Sequence, residues 1–134
     1  MNYYQKYLKY KNKYLDLNND SSMIGGGVNL SLKIVNLATC SLAQYALDFR
    51  NNLDRIKKSI EIAKLRGCKY RIGPELEICG YDCSDHFFEM DTITSSWNSV
   101  LELLKSDLTN NILVDTSLPV LYNGNRYNCR IFLL

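Results

Sequence analysis

The residue types that could do chemistry crowd into one stretch, Gly73-Pro74-Glu75-Leu76-Glu77-Ile78-Cys79-Gly80-Tyr81-Asp82-Cys83-Ser84-Asp85-His86. Glu75 and Glu77 are two positions apart, so extended backbone sends them to opposite sides. That is a poor arrangement for an acid/base pair, and a carboxylate in such a stretch is ordinarily a turn or surface residue. Cys79, Cys83 and His86 invite a zinc reading. Structural zinc takes four ligands, most often with two residues between paired cysteines, and His86 is the only histidine in the chain. Cys40, Cys68 and Cys129 fall on separate elements, so no metal is expected. Cys83 and His86 as a nucleophile–base pair lack a third, orienting group. With an odd count of five cysteines and no secretory signal, the thiols are expected to be reduced, buried and unreactive, in a cytoplasmic setting.

Those residues need elements to hold them, and the pattern after residue 27 reads as alternating strand and helix. Leu32-Lys33-Ile34-Val35-Asn36-Leu37 alternates with period two and predicts a strand. Asp48 can cap a helix running to about Leu65, with Leu53, Ile56, Ile60 and Ala63 on its apolar face. Gly67 suits the left-handed position after its end. Lys69-Tyr70-Arg71-Ile72 predicts a short second strand closed by Gly73-Pro74. A second helix is expected to place Ile93, Trp97, Val100, Leu101 and Leu104 on one face. A third strand is expected from Ile112 to Val120, a hairpin turn at Asn123-Gly124-Asn125, and a fourth strand from Arg126 to Leu134. The order β-α-β-α-β-β implies helices packed on a sheet. The reactive stretch then follows the second strand, at the carboxyl end where open α/β sheets gather their sites. Residues 131–134, Ile-Phe-Leu-Leu, make the last strand an edge that needs covering, either by a protein partner there or by further sequence of a longer protein.

In front of this body the chain is different. Tyr3, Tyr7, Tyr10, Tyr14 and Leu17 repeat at alternating steps of four and three, a heptad seam that Tyr4, Leu8 and Leu15 widen. Residues 1–17 therefore predict a short amphipathic helix, a second candidate surface for a protein partner. Residues 18–27 are polar and then Gly25-Gly26-Gly27, a linker. That glycine run is followed by Val28-Asn29-Leu30-Ser31 and lacks the Lys-Ser/Thr of a phosphate loop. Domain boundaries are thus expected at 1–17, 18–27 and 28–134. The 134 residues carry a net charge of +2, with 46% hydrophobic and 22% charged side chains, an ordinary globular composition. The excess sits in the leader: Lys6, Lys9, Lys11 and Lys13 against Asp16 and Asp20. The body is neutral and presents no reason to expect nucleic acid. No apolar run approaches the ~18–20 residues of a membrane span.

The reactive stretch also carries a family signature. Ala38-Thr39-Cys40, Gln44-Tyr45-Ala46-Leu47-Asp48-Phe49, Asn52-Leu53 with Arg55-Ile56, and residues 58–64 lead into Gly-Pro-Glu-Leu-Glu-Ile-Cys-Gly-Tyr at 73–81. Asp85-His86, Asp91-Thr92 and Arg126-Tyr127-Asn128-Cys129-Arg130 continue it. Residues 32–134 closely resemble the start of the glutaminase domain of eukaryotic-type glutamine-dependent NAD synthetases, a branch of the nitrilase, or carbon–nitrogen hydrolase, superfamily. The leader is similar, more weakly, to N-terminal segments of proteins of giant amoeba-infecting DNA viruses. The resemblance implies an α/β fold, a partial nitrilase-type α-β-β-α sandwich. It implies a Glu/Lys/Cys catalytic set that hydrolyses the side-chain amide of glutamine without a cofactor. On the matching positions Glu75 is the general base and Tyr81 a pocket-lining aromatic. Cys79, Cys83 and Cys129 match positions that are not the nucleophile. The family's Lys and nucleophilic Cys fall beyond residue 134, so the chain reads as a truncated domain, inactive alone. The alternatives are one half of a split hydrolase, or a non-catalytic interaction protein acting through its N-terminal helix. No ATP-binding synthetase loop accompanies it.

Overall fold

The computed structural model describes residues 34–134, which form one compact unit from Ile34 to the end of the chain. The amphipathic helix expected at 1–17, the linker at 18–27 and the domain start at 28 lie outside the described residues. Four strands make one sheet in the order β1 (Leu37–Thr39), β2 (Tyr70–Ile72), β3 (Leu113–Tyr122) and β4 (Asn125–Leu133). β1, β2 and β3 are parallel, and β4 returns antiparallel to β3. Between the parallel strands run α1 (Phe49–Leu65) and α2 (Met90–Lys105), with a short 3-10 helix (Ser84–Phe88) ahead of α2. The expected β-α-β-α-β-β order is therefore the observed one, in a mixed α/β fold.

Pairing register explains the main departure from the sequence pattern. The alternating residues 34–36 are exposed and lie outside the strand, which begins only at Leu37, although Asn36 O still accepts from Lys69 N–H at 2.9 Å. Gly73-Pro74 stops β2 after three residues. A three-residue strand can pair only three partners, and those opposite it are Leu37, Ala38 and Thr39. α1 starts where Asp48 was expected to cap it, but the Asp48 carboxylate makes no capping bond. Both its oxygens accept from the Asn51 side-chain amide instead, at 2.8 and 2.9 Å. Gly67, just past the helix end, has φ +69°, the left-handed conformation expected of it. Asn123 and Gly124 both have positive φ, 49° and 77°, as a two-residue hairpin turn between right-twisted strands requires.

The core lies between one face of the sheet and the two helices. Leu53, Ile56, Ile60 and Ala63 of α1 meet Val100 and Leu103 of α2 and Val114, Leu118 and Leu133 of the sheet. The expected single apolar face of α2 is only partly realised. Ile93, Val100 and Leu103 are buried, whereas Trp97, Leu101 and Leu104 are largely exposed. Each exposed residue is one position, or 100°, round the helix from Ser96, Val100 or Leu103. The small side chains of Thr92, Ser96 and Ser99 take the buried arc and let α2 sit close, leaving the bulky flank outside. The opposite face of the sheet is open: Leu37 and Phe132, both on that face, are each 60% exposed.

Candidate active site

The reactive stretch forms a turn directly after β2, and the surrounding residues fasten it on three sides. Toward β3, Gly73 N–H donates to Asp115 O (3.1 Å), Ser117 Oγ to Pro74 O (3.2 Å) and Ile78 N–H to Ser117 O (3.4 Å). Toward the segment before and at the start of α1, Gln44 Nε2 donates to Glu77 O (2.7 Å) and Leu47 N–H to Cys79 O (2.7 Å). Asn52 Nδ2 donates to Tyr45 O (2.7 Å) and Ile78 O (3.2 Å), so one buried amide ties both chain segments together. From β4, Arg130 Nη2 donates to Gly73 O at 2.9 Å and Asn128 Nδ2 donates to the Glu75 carboxylate. Leu76 takes φ +50°, a conformation that costs a leucine energy and that persists only where surroundings enforce it.

The two glutamates do diverge, and in opposite environments. Glu75 is exposed at the carboxyl end of β2, with its carboxylate accepting from Asn128. Glu77 is a turn residue, as expected of one of these carboxylates, but not a surface one: its side chain is fully buried. Arg71, also fully buried, grips it with two parallel bonds, Nη1 to Oε1 at 2.7 Å and Nη2 to Oε2 at 2.8 Å. Arg71 Nε donates to Ser59 Oγ (3.0 Å), and Nη1 also to Asp115 O (3.2 Å). Burial alone pulls the guanidinium down, but the bonded Glu77 carboxylate outweighs it and holds Arg71 above its ordinary range. Gly73 is required here because a Cβ on it would land on the Glu77 carboxylate. Gly80 closes the turn at φ +86°, where a Cβ would approach Tyr45 O to 2.5 Å.

The other candidates separate cleanly. Tyr81 is exposed at the far end of the same turn. The Cys79 and Cys83 thiols are buried and both lie against Gly80 O, at 3.3 and 3.1 Å. Burial and the neighbouring Cys83 push the Cys79 thiol up to about 12, so at neutral pH it is not a thiolate. His86 lies on the surface with Nδ1 3.0 Å from Glu89 Oε2, away from any nucleophile pairing with Cys83, whose thiol donates to backbone carbonyls. Cys68 is buried in the main core, and Cys40 and Cys129 are half-buried, so the expectation of five buried thiols holds for three. Among the described residues no thiol hydrogen-bonds to Glu75. The residues that sequence reasoning left without a role are Arg71, Asn128 and Arg130. Only their presence in the family signature could have flagged the latter two.

Parallel strands flanked by helices, with a carboxylate mounted rigidly beyond the carboxyl end of one of them, define an α/β protein built around a strand-end site. A carbon-nitrogen hydrolase family model matches residues 36–134. The chain belongs to the carbon–nitrogen hydrolase family. Within it, the glutamine-dependent NAD(+) synthetase of Dictyostelium discoideum is 58% identical over 104 residues, covering 77% of this chain and 15% of that protein. The Homo sapiens glutamine-dependent NAD(+) synthetase is 54% identical over 100 residues, 75% of this chain and 14% of that one. A crystal structure of the Cytophaga hutchinsonii glutamine-dependent NAD(+) synthetase matches with TM-score 0.68 at 28% identity, over 74% of this chain and 17% of that chain. An amidase from Nesterenkonia sp., 21% identical with TM-score 0.61, shares the fold. The chain thus spans about a seventh of the length of the curated relatives it matches.

Proposed function

We propose that this chain carries the general-base portion of a glutamine-hydrolysing site, with Glu75 as the base and Tyr81 lining the substrate pocket. The carrying observation is the contrast within one turn: the Glu77 carboxylate is buried and gripped by Arg71, while the Glu75 carboxylate faces out beyond a strand end with a single amide donor on it. A base needs that combination of rigid mounting and access. In the reaction, a cysteine thiol loses its proton to Glu75 and attacks the side-chain amide carbon. A lysine stabilises the oxyanion, Glu75 returns the proton to the departing ammonia, and water hydrolyses the thioester. No cofactor enters these steps. The lysine and the nucleophilic cysteine come from further polypeptide that covers the open sheet face and the β4 edge, and without it the 134-residue chain does not turn over glutamine. That covering polypeptide is the protein partner we assign. The leader is a second contact surface, and the neutral body leaves nucleic acid out. Among the described residues no helix is long and apolar enough to cross a membrane. We place the reaction in the cytoplasm, with the leader's likeness to giant-virus proteins putting it in an infected host cell or a virion.

The test is a chimera in which residues 28–134 replace the matching segment of the Dictyostelium discoideum relative. The chimera should hydrolyse glutamine, and Glu75→Gln should lower the rate by about 10²–10⁴-fold with the circular dichroism unchanged. Full activity in Glu75→Gln removes the base role. A folded but inactive parent chimera removes the reading that these residues can furnish the site.

A further inference from the structure

We propose that Asn128 is the positioning residue for the Glu75 carboxylate, and that β4 carries it as one half of a two-point clamp whose other half is Arg130. The inference rests on the reading of Glu75 as the base and deepens it. Alternate residues of a strand share a face, and Asn128 and Arg130, opposite Pro119 and Ser117 of β3, both point to the open face of the sheet. Arg130 fixes the start of the loop through Gly73 O at 2.9 Å. It is itself held by Asp115 Oδ1 at 2.7 Å, and Asp115 Oδ2 accepts from Tyr70 OH at 2.9 Å. The guanidinium is therefore anchored to β3 directly and to β2 through Asp115. Two residues away, Asn128 Nδ2 reaches the Glu75 carboxylate oxygen Oε1.

A glutamate has three side-chain torsions, and an exposed one samples many rotamers. One donor on Oε1 selects among them and leaves Oε2 with its lone pairs open to receive a proton. An amide does this without a charge, whereas a lysine or arginine in the same place would neutralise the base it orients. Asn128 also lines a recess of about 210 Å³ with Leu76, Phe87, Pro119, Arg126 and Tyr127. The carboxylate it holds thus stands beside a concavity. The wall there is braced in turn, since Arg126 Nη2 donates to Phe88 O at 2.6 Å.

Two measurements test the clamp. In the 134-residue chain, the side-chain amide NMR signals of Asn128 should move as Glu75 takes up a proton on acid titration, and should stay still in Glu75→Gln. Signals that ignore Glu75 overturn the proposal. In the chimera, Asn128→Leu, which keeps the volume and removes the donor, should lower kcat about 10–100-fold at a KM within about twofold of the parent. Asn128→Gln, which keeps the donor on a longer arm, should recover part of that loss. An unchanged kcat per folded molecule in Asn128→Leu overturns the positioning role while a dead Glu75→Gln leaves the base role standing. An active Glu75→Gln removes the base role first. If Asn128→Leu does not fold, Asn128→Gln and the titration decide: parent-like kcat with unresponsive signals overturns the proposal.

Discussion

A carboxylate withdrawn from water stays ionised only if a cation and further hydrogen bonds replace the solvent. Glu77 has Arg71 on both oxygens, and Arg71 has Ser59 and a strand carbonyl on its remaining donors. Breaking such a pair from one side leaves an uncompensated charge. Glu77→Gln should therefore lose about 3–5 kcal/mol of stability in urea unfolding. Arg71→Met combined with Glu77→Leu should regain most of it, because neither charge then remains buried. Equal midpoints for Glu77→Gln and the parent would show that this pair does not hold the loop. The spelling of residues 73–81 announced the family but not this role. Arg71 lies on the far side of the Gly73-Pro74 break, and hydrophobic periodicity carries no information across a turn. The same limit hid Asn128, whose partner Glu75 lies 53 positions away in sequence.

Helices and strands obeyed their local patterns where the pattern had one cause. The apolar spacing of α1 matches its buried face, and the Asn-Gly signal matches the hairpin turn between β3 and β4. The pattern failed where tertiary contact chose between two equally apolar sets. Along α2 both the Ile93/Val100/Leu103 arc and the Trp97/Leu101/Leu104 arc have helical spacing, and only the first faces the core. Leu103→Ala should cost about 2–5 kcal/mol, as cavity-forming substitutions do. Leu104→Ala, 43% exposed in the parent, should cost well under half as much. Comparable losses at the two positions in thermal unfolding would return α2 to the rotation read from sequence. β1 was misplaced for a similar reason. Its own alternation begins early, but the length of its partner β2 decides which residues pair.

For the molecule as a whole, the described residues pack both helices on one side of the sheet, and on the other Leu37 and Phe132 are turned to solvent. Among the described residues β4 is also an edge strand, with no strand paired along its outer side. Exposed Leu37 and Phe132 beside an edge strand predict that the 134-residue chain associates with itself as its concentration rises. Phe132→Lys should shift that association to higher concentration in light scattering coupled to size-exclusion chromatography. A strictly monomeric parent across the accessible range would show that the open face is tolerated as it is. The antiparallel return of β4 has another consequence, one of order in time. Glu75 is made before either residue of its clamp, 53 positions ahead of Asn128. A ribosome thus releases the base-bearing turn well before it releases the strand that orders it. Residues translated later thus set the geometry of a group synthesised earlier, so a nascent chain stalled before position 128 holds the loop without its aim.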